Sequence, residues 1–509
     1  MQAPDLIPII PELILLATAC IILLVEPFLK TGVAAADGAG GAADSPAKGD
    51  KTPIIAIALA GLIGSLVVSL ALVGHDRESF AGTLVLNDWA VFFKVLFALG
   101  AGLTILMSSG YLEAHRRHLG EYYALIIFAV IGMDLMAAAR DFILFYVALE
   151  LMAISSYLLA AFFRYRERSN ESALKYFLTG SFASAIMLYG ISLVYAETGA
   201  TSYAAAGRVL AQVGGAGVPG GTAGVLLAVF LVGIGLAFKV SAAPFHMWTP
   251  DVYQGAPTPV AAFFSVGPKA AAISVIMAAF IVAFPGVVKQ WGMFFIILAI
   301  ITMLAGNLYA LVQSNVKRML AYSSIAHAGY LLTGVGAMGW SGNAYPGRGL
   351  LVYLAAYTFM NLGAFGVLAY LKTQMPEKFD YSLKHLAGLG RRSPWAAVLL
   401  SLFLLSLTGI PGTAGFIGKF YVFGGVVWAD LWWLAVIGVV LSAVSAYYYL
   451  RVIVHMFFKE PEEDYAVREP IAGGMAAALA VSAIATLAIG IVPSWLWDAA
   501  VSAVGTLFR

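Results

Sequence analysis

Long apolar runs separated by short polar segments fill most of the chain. Fourteen of them lie near 7–28, 53–74, 89–109, 121–139, 141–163, 172–196, 223–247, 258–284, 290–313, 322–340, 349–371, 394–426, 431–455 and 471–497. Each matches the roughly 17 to 25 residues a bilayer-spanning helix needs. The runs are continuously apolar and do not alternate, which predicts helices and not the strands of a barrel. No water reaches the hydrocarbon core to satisfy an open backbone, so those were the only two choices. The prediction is an all-α integral membrane protein with about 14 transmembrane helices.

Two runs carry helix breakers beside a lysine. In LAFKVSAAPFHMWTPDVYQGAPTPV (236–260), Lys239 precedes Pro244 by five residues. In LLSLTGIPGTAGFIGKFYVF (404–423), Gly409, Pro411, Gly412 and Gly415 precede Lys419. A proline removes a backbone donor and disrupts the carbonyl ladder a turn before it. Inside a membrane such backbone is tolerated only within protein or beside a water-filled cavity. The broken runs are the seventh and twelfth, which predicts two inverted five-helix repeats, spans 4–8 and 9–13. The chain then divides into 1–120 (three spans), 121–287 (first repeat), 288–456 (second repeat) and 457–509 (a loop and the last span).

Composition agrees. Hydrophobic residues make up 61% and charged residues 11%, with mean hydropathy +0.90, against about 25% charged in a soluble domain. A net charge of +2 gives no reason to expect nucleic acid. One cysteine, Cys20, and seven scattered histidines offer neither an intrachain disulfide nor metal-ligand spacing. The start, MQAPDLIPII, has no basic stretch of the kind a cleaved signal peptide carries. Loops after odd-numbered spans hold eighteen basic residues and loops after even-numbered spans five. That asymmetry predicts cytoplasmic odd loops and both termini on the opposite, periplasmic side. Segment 31–51 reads as a flexible Ala/Gly/Asp loop and 206–224 as a glycine-rich loop without phosphate-binding context.

The remaining chemistry lies in charges within the runs. Lys239, Lys269 and Lys419 would each cost about 2.5 to 3.5 kcal/mol in lipid, so all three are expected to face protein or water. Glu150, in DFILFYVALELMAISSYLL, sits centrally in its run and is expected to pair with Lys239. A single buried pair serves packing as readily as function. Two further lysines without an acid in their own runs suit a relay, because burial loosens the proton of an unpaired ammonium. Lys175, His246 and His327 are supporting candidates. Lys175 also stands four residues after Glu171, a helical ion-pair spacing. Glu12, Glu26, Asp141 and Glu171 lie near run ends and read as interfacial anchors, and Lys317 reads as a topology signal in a loop. Asp134 has no assigned role.

The runs HMWTPDVYQGAPTPVAAFFSVGPKAA (246–271), LTGIPGTAGFIGKFYVF (407–423), DFILFYVALELMAISSYLL and VKRMLAYSSIAHAGYLL together resemble the antiporter-like subunit N family of proton-pumping NADH:quinone oxidoreductase, respiratory complex I. Subunits L and M and Mrp-type cation/proton antiporters share the broken spans; PDVYQGAPTPV favours N. The resemblance implies a proton relay of Glu150, Lys239, a central Lys269 and a terminal Lys419. It also implies a location in the bacterial inner membrane, beside subunit M and small membrane subunits of complex I. FMN, iron–sulfur clusters and quinone are then expected in partner subunits, with no cofactor or metal in this chain. The alternatives are an Mrp-type antiporter and a structural membrane subunit without its own channel.

Overall fold

A computed structural model describes residues 5–29, 51–115, 117–211, 221–375, 378–461 and 470–507. Residues 31–50 of the loop expected at 31–51, and 212–220 of that expected at 206–224, lie outside the described residues.

The elements run α1 (Ile10–Val25), α2 (Thr52–Ala71), β1 (Arg77–Ser79), β2 (Leu84–Leu86), α3 (Asp88–Ala114), α4 (Glu121–Ala138), α5 (Phe142–Ala160), α6 (Glu167–Thr198) and α7 (Tyr203–Leu210). Then come α8 (Gly221–Lys239), α9 (Trp248–Gly255), α10 (Thr258–Ala283), α11 (Val288–Leu311), α12 (Val316–Ser341) and α13 (Tyr345–Gln374). The last are the four-residue turns α14 (Leu383–Leu386) and α15 (Leu389–Arg392), then α16 (Pro394–Thr408), α17 (Ala414–Trp428), α18 (Trp432–Phe458), α19 (Gly473–Ile491) and α20 (Ser494–Leu507). Twelve helical segments among the described residues are long and apolar enough to cross a membrane. Helix α12 is 26 residues long but less apolar, because it carries Lys317, Arg318 and His327. Helices α16 and α17, fifteen residues each, form one crossing with a break. The sum is the fourteen crossings expected.

Both breaks are present. Helix α8 stops at Lys239 and helix resumes at Trp248; between them Ser241 takes a positive φ of 64°. Helix α16 stops at Thr408, where Gly409 (φ 96°) turns the chain left-handed, and α17 starts at Ala414. The hairpin of β1 and β2, Arg77 opposite Leu86 and Ser79 opposite Leu84, was not predicted, because three-residue strands leave no measurable alternation.

Helices α10 and α13 form the centre, with most of their residues buried on every side. Such helices show no apolar face, and their few polar side chains need partners within the protein. Both described ends are tied to neighbouring elements: Asp5 is paired with Arg77, and the backbone N–H of Trp89 at the start of α3 donates to Thr506 of α20.

Candidate functional site

Lys239, Lys269 and Lys419 are each 6% exposed or less, so the sequence placed all three correctly inside protein. Each is held differently. Lys239 is the last residue of α8, at the negative end of that half-helix, which favours a cation. Its Nζ donates to the Tyr157 hydroxyl at 3.4 Å and lies 5.6 Å from the centre of that ring. Lys269 follows Pro268 inside α10. Its Nζ donates to the carbonyl oxygen and the hydroxyl of Ser324 on α12, at 2.7 and 2.6 Å. Lys419 uses the second break: its Nζ reaches the carbonyls of Leu407 and Thr408 at 2.9 Å each, and Ser442 Oγ at 2.7 Å. Those carbonyls belong to the last turn of α16, where no later residue of the helix takes them up.

Lys269 and Lys419 are joined by a polar thread on α12. Ser324, His327 and Tyr330 follow one another at three-residue intervals, on one side of the helix. His327 is 1% exposed; its Nδ1 lies 2.5 Å from the Tyr353 hydroxyl and its Nε2 3.2 Å from the Tyr449 hydroxyl. The Tyr330 ring lies 5.1 Å from Lys419 Nζ, and the Tyr357 ring 5.7 Å from Lys269 Nζ and 5.0 Å from the His327 ring. His327 thus lies on α12 between the Ser324 that holds Lys269 and the Tyr330 ring beside Lys419, without a hydrogen bond to either lysine among the described residues. Lys239 and Lys269 share no hydrogen-bond partner, so the thread is interrupted between them.

Three expectations change. Glu150 and Lys239 make no ion pair among the described residues. The carboxylate acts on Lys239 through space, and Tyr157, seven residues after Glu150, holds the ammonium. Glu150 Oε1 is buried without a hydrogen-bond partner. Lys317 is no loop residue: it lies in the first turn of α12, 2% exposed, and donates to the carbonyls of Gln254 and Ala256 at 3.3 and 2.7 Å. It thereby fastens the PDVYQGAPTP segment. Glu12 is no interfacial anchor: it is buried and paired with Lys94 at 2.8 Å. Sequence position near a span end did not reveal this, because burial there depends on which helices pack alongside.

The supporting candidates separate. Lys175 is 45% exposed and lies outside the buried row. It pairs with Glu171 at 2.7 Å, as its spacing predicted, and with Asp251 at 2.9 Å. Asp251 also takes Arg318 at 2.8 Å. Partial burial works against its ionisation, yet these two cations hold its carboxyl below the usual range. The three side chains border an open cavity of about 240 Å³ with Arg168 and Gln254. His246 is half-buried, its Nδ1 unpartnered, and it reaches none of the three lysines. Among the described residues no three His, Cys, Asp or Glu side chains converge as a metal site would need.

Residues 139–445 match the family described as NADH:quinone oxidoreductase/Mrp antiporter, transmembrane. The chain is 44% identical to the NADH-quinone oxidoreductase subunit N of Trichlorobacter lovleyi, over 99% of this chain and 98% of that protein. It is 39% identical to subunit N 1 of Solibacter usitatus over the same shares. A chain of respiratory complex I from Thermus thermophilus superposes with a TM-score of 0.76 at 32% identity, over 96% of this chain and 99% of that one. A chain of the Mrp complex from Dietzia sp. superposes with a TM-score of 0.80 at 20% identity, over 99% and 98%, a likeness of fold alone.

Proposed function

The chain belongs to the NADH-quinone oxidoreductase subunit N family, and on that footing we propose that it carries protons across the membrane along Lys239, Lys269 and Lys419. In this reading it is an antiporter-like membrane subunit of the multisubunit NADH:quinone oxidoreductase, and partner subunits move the electrons from NADH to quinone. FMN, iron–sulfur clusters and quinone belong to those partners. The observation that carries the reading is the row itself: three buried lysines on hydroxyl and carbonyl partners, none bonded to a carboxylate among the described residues.

Glu150 supplies the control. It lies three residues after Val147 and four before Ile154, both of which are exposed on the outer face of α5 with Ile143 and Leu158. Glu150 itself is half-buried, with Oε1 buried, and in this reading a neighbouring membrane subunit packs against that apolar face. When a cation of that neighbour draws Glu150 away, Lys239 loses the negative potential that holds its proton. The proton leaves the Lys239 ammonium, crosses the interrupted step to Lys269 by way of water, and passes along Ser324, His327 and the tyrosines to Lys419. Expelling one charge against 100 mV takes about 2.3 kcal/mol. Two charges 4 Å apart interact by about 4 kcal/mol at an effective dielectric constant of 20, so a movement at Glu150 is on the required scale.

The two breaks support placing the inverted repeats at 121–287 and 288–456. In both halves a buried lysine stands beside the end of the first half-helix. The basic loops support a cytoplasmic odd side and periplasmic termini in the bacterial inner membrane. The partners are other membrane-arm subunits, with subunit M and small membrane subunits as the neighbours. Native purification through a tag on this chain is expected to bring along NADH-oxidising activity. A chain that purifies without it and exchanges sodium or potassium for protons in vesicles would favour the Mrp-type reading instead.

A further inference from the structure

A further group of buried charges lies outside the row of lysines. Glu12 of α1, Lys94 of α3 and Asp134 of α4 are buried on helices that pack against one another. They are 4%, 1% and 1% exposed. Lys94 Nζ lies 2.8 Å from Glu12 Oε1 and donates to the carbonyl of Pro8 at 3.0 Å. Glu12 and Lys94 are the charged groups that act on Asp134, although neighbouring elements also carry Arg77, Glu78, Glu150, Lys269, Arg348 and Asp498. Glu12 Oε2 and Asp134 Oδ1 are both buried without a hydrogen-bond partner.

Charge counting decides the protonation of this group. One ammonium with two carboxylates carries a net charge of −1. An uncompensated charge inside protein costs several kcal/mol, and two acids that close together resist being ionised at once. The neutral set is one ammonium, one carboxylate and one carboxylic acid. A carboxylic acid also supplies an O–H donor where the structure leaves acceptors unpartnered. We propose that Glu12, Lys94 and Asp134 form a second proton-binding site that holds one exchangeable proton between the two carboxyl groups. Two arrangements are open to it. In one, Asp134 carries the proton and Glu12 faces the Lys94 ammonium. In the other, the O–H bond of Asp134 has broken, Glu12 has taken the proton, and the ammonium serves the Asp134 carboxylate. No charge is created or lost in the exchange, and no co-reactant is needed.

The site shares no partner with the central lysine of the row: Lys94 bonds Glu12 and the Pro8 carbonyl, whereas Lys269 bonds Ser324. The proposal therefore stands whether or not the relay is right. Infrared spectra of the whole complex test it, comparing wild type with Asp134→Asn and with Glu12→Gln in H2O and D2O. Each variant is expected to lose a carboxylic-acid carbonyl band present in wild type, and the wild-type band is expected to shift in D2O. A spectrum in which neither variant removes such a band, or a band that D2O leaves unmoved, overturns the proposal. Where an amide variant fails to assemble, Asp134→Glu and Glu12→Asp keep the acid and are expected to move the band; an unmoved band contradicts the proposal equally.

Discussion

Lys269→Met is expected to reduce proton flow through this chain roughly a hundredfold while leaving the complex assembled. Methionine is similar in length and fills the space of the lysine stem, so the packing of α10 against α12 survives. What disappears is the one group that accepts a proton at the middle of the row, where Nζ sits on Ser324. The charge must then cross an apolar stretch unaided, at about 2.5 to 3.5 kcal/mol, and every 1.36 kcal/mol is a tenfold loss of rate. The measurement is NADH-driven acidification by vesicles holding the variant complex, with the amount of assembled enzyme determined in parallel. Unchanged acidification per assembled complex would remove Lys269 from the pathway.

The second large effect concerns the broken crossing, and it falls on folding. Gly415→Ala is expected to deplete the chain from the membrane, whereas Gly424→Ala in the same helix is expected to be silent. A Cβ on Gly415 would stand 1.7 Å from the carbonyl oxygen of Ser406, which is backbone and has no rotamer to give. A Cβ on Gly424 meets nothing within 4 Å. Overpacking a tight contact costs about 1 to 3 kcal/mol, and this overlap lies at the severe end. The contact matters because it sets the first turn of α17 against the last turns of α16, so that the carbonyls of Leu407 and Thr408 point at Lys419. Native gel electrophoresis of membranes from both variants checks the pair. Equal amounts of complex in the two would mean that the half-helices can separate without consequence.

Much of this was legible in the sequence, for a reason that depends on cost. A lysine in a run such as VLLAVFLVGIGLAFK has few tolerable environments, so Lys239, Lys269 and Lys419 announce burial in protein. Prolines and glycines mark backbone that needs shelter, so both breaks were legible too. The residues that the sequence misplaced sit near run ends. There a charge is cheap in water and expensive under a neighbouring helix, and only packing decides between them. Glu12 reads as an interfacial anchor and Lys317 as a loop residue, and both are buried. The expected pairing of Glu150 with Lys239 failed for a related reason. The sequence shows which groups share a membrane depth, and it does not show that the Tyr157 hydroxyl, two turns beyond Glu150 on the same helix, takes the ammonium. That tyrosine was open to notice, since a spacing of seven residues returns to nearly the same helical face. The thread through Ser324, His327, Tyr353 and Tyr449 was not, because its two hydrogen-bonded links, from His327 to Tyr353 and to Tyr449, join different helices.

In the proposed relay Lys239 is where the control by Glu150 enters, so one quantity bears on the central claim most directly: the number of protons moved per electron in an assembled Lys239→Ala complex. Alanine removes both the proton carrier and the group that senses Glu150. The expected result is a complex of normal composition that moves fewer protons per electron, or whose turnover falls along with its pumping. Wild-type turnover at the wild-type proton-to-electron ratio would contradict it.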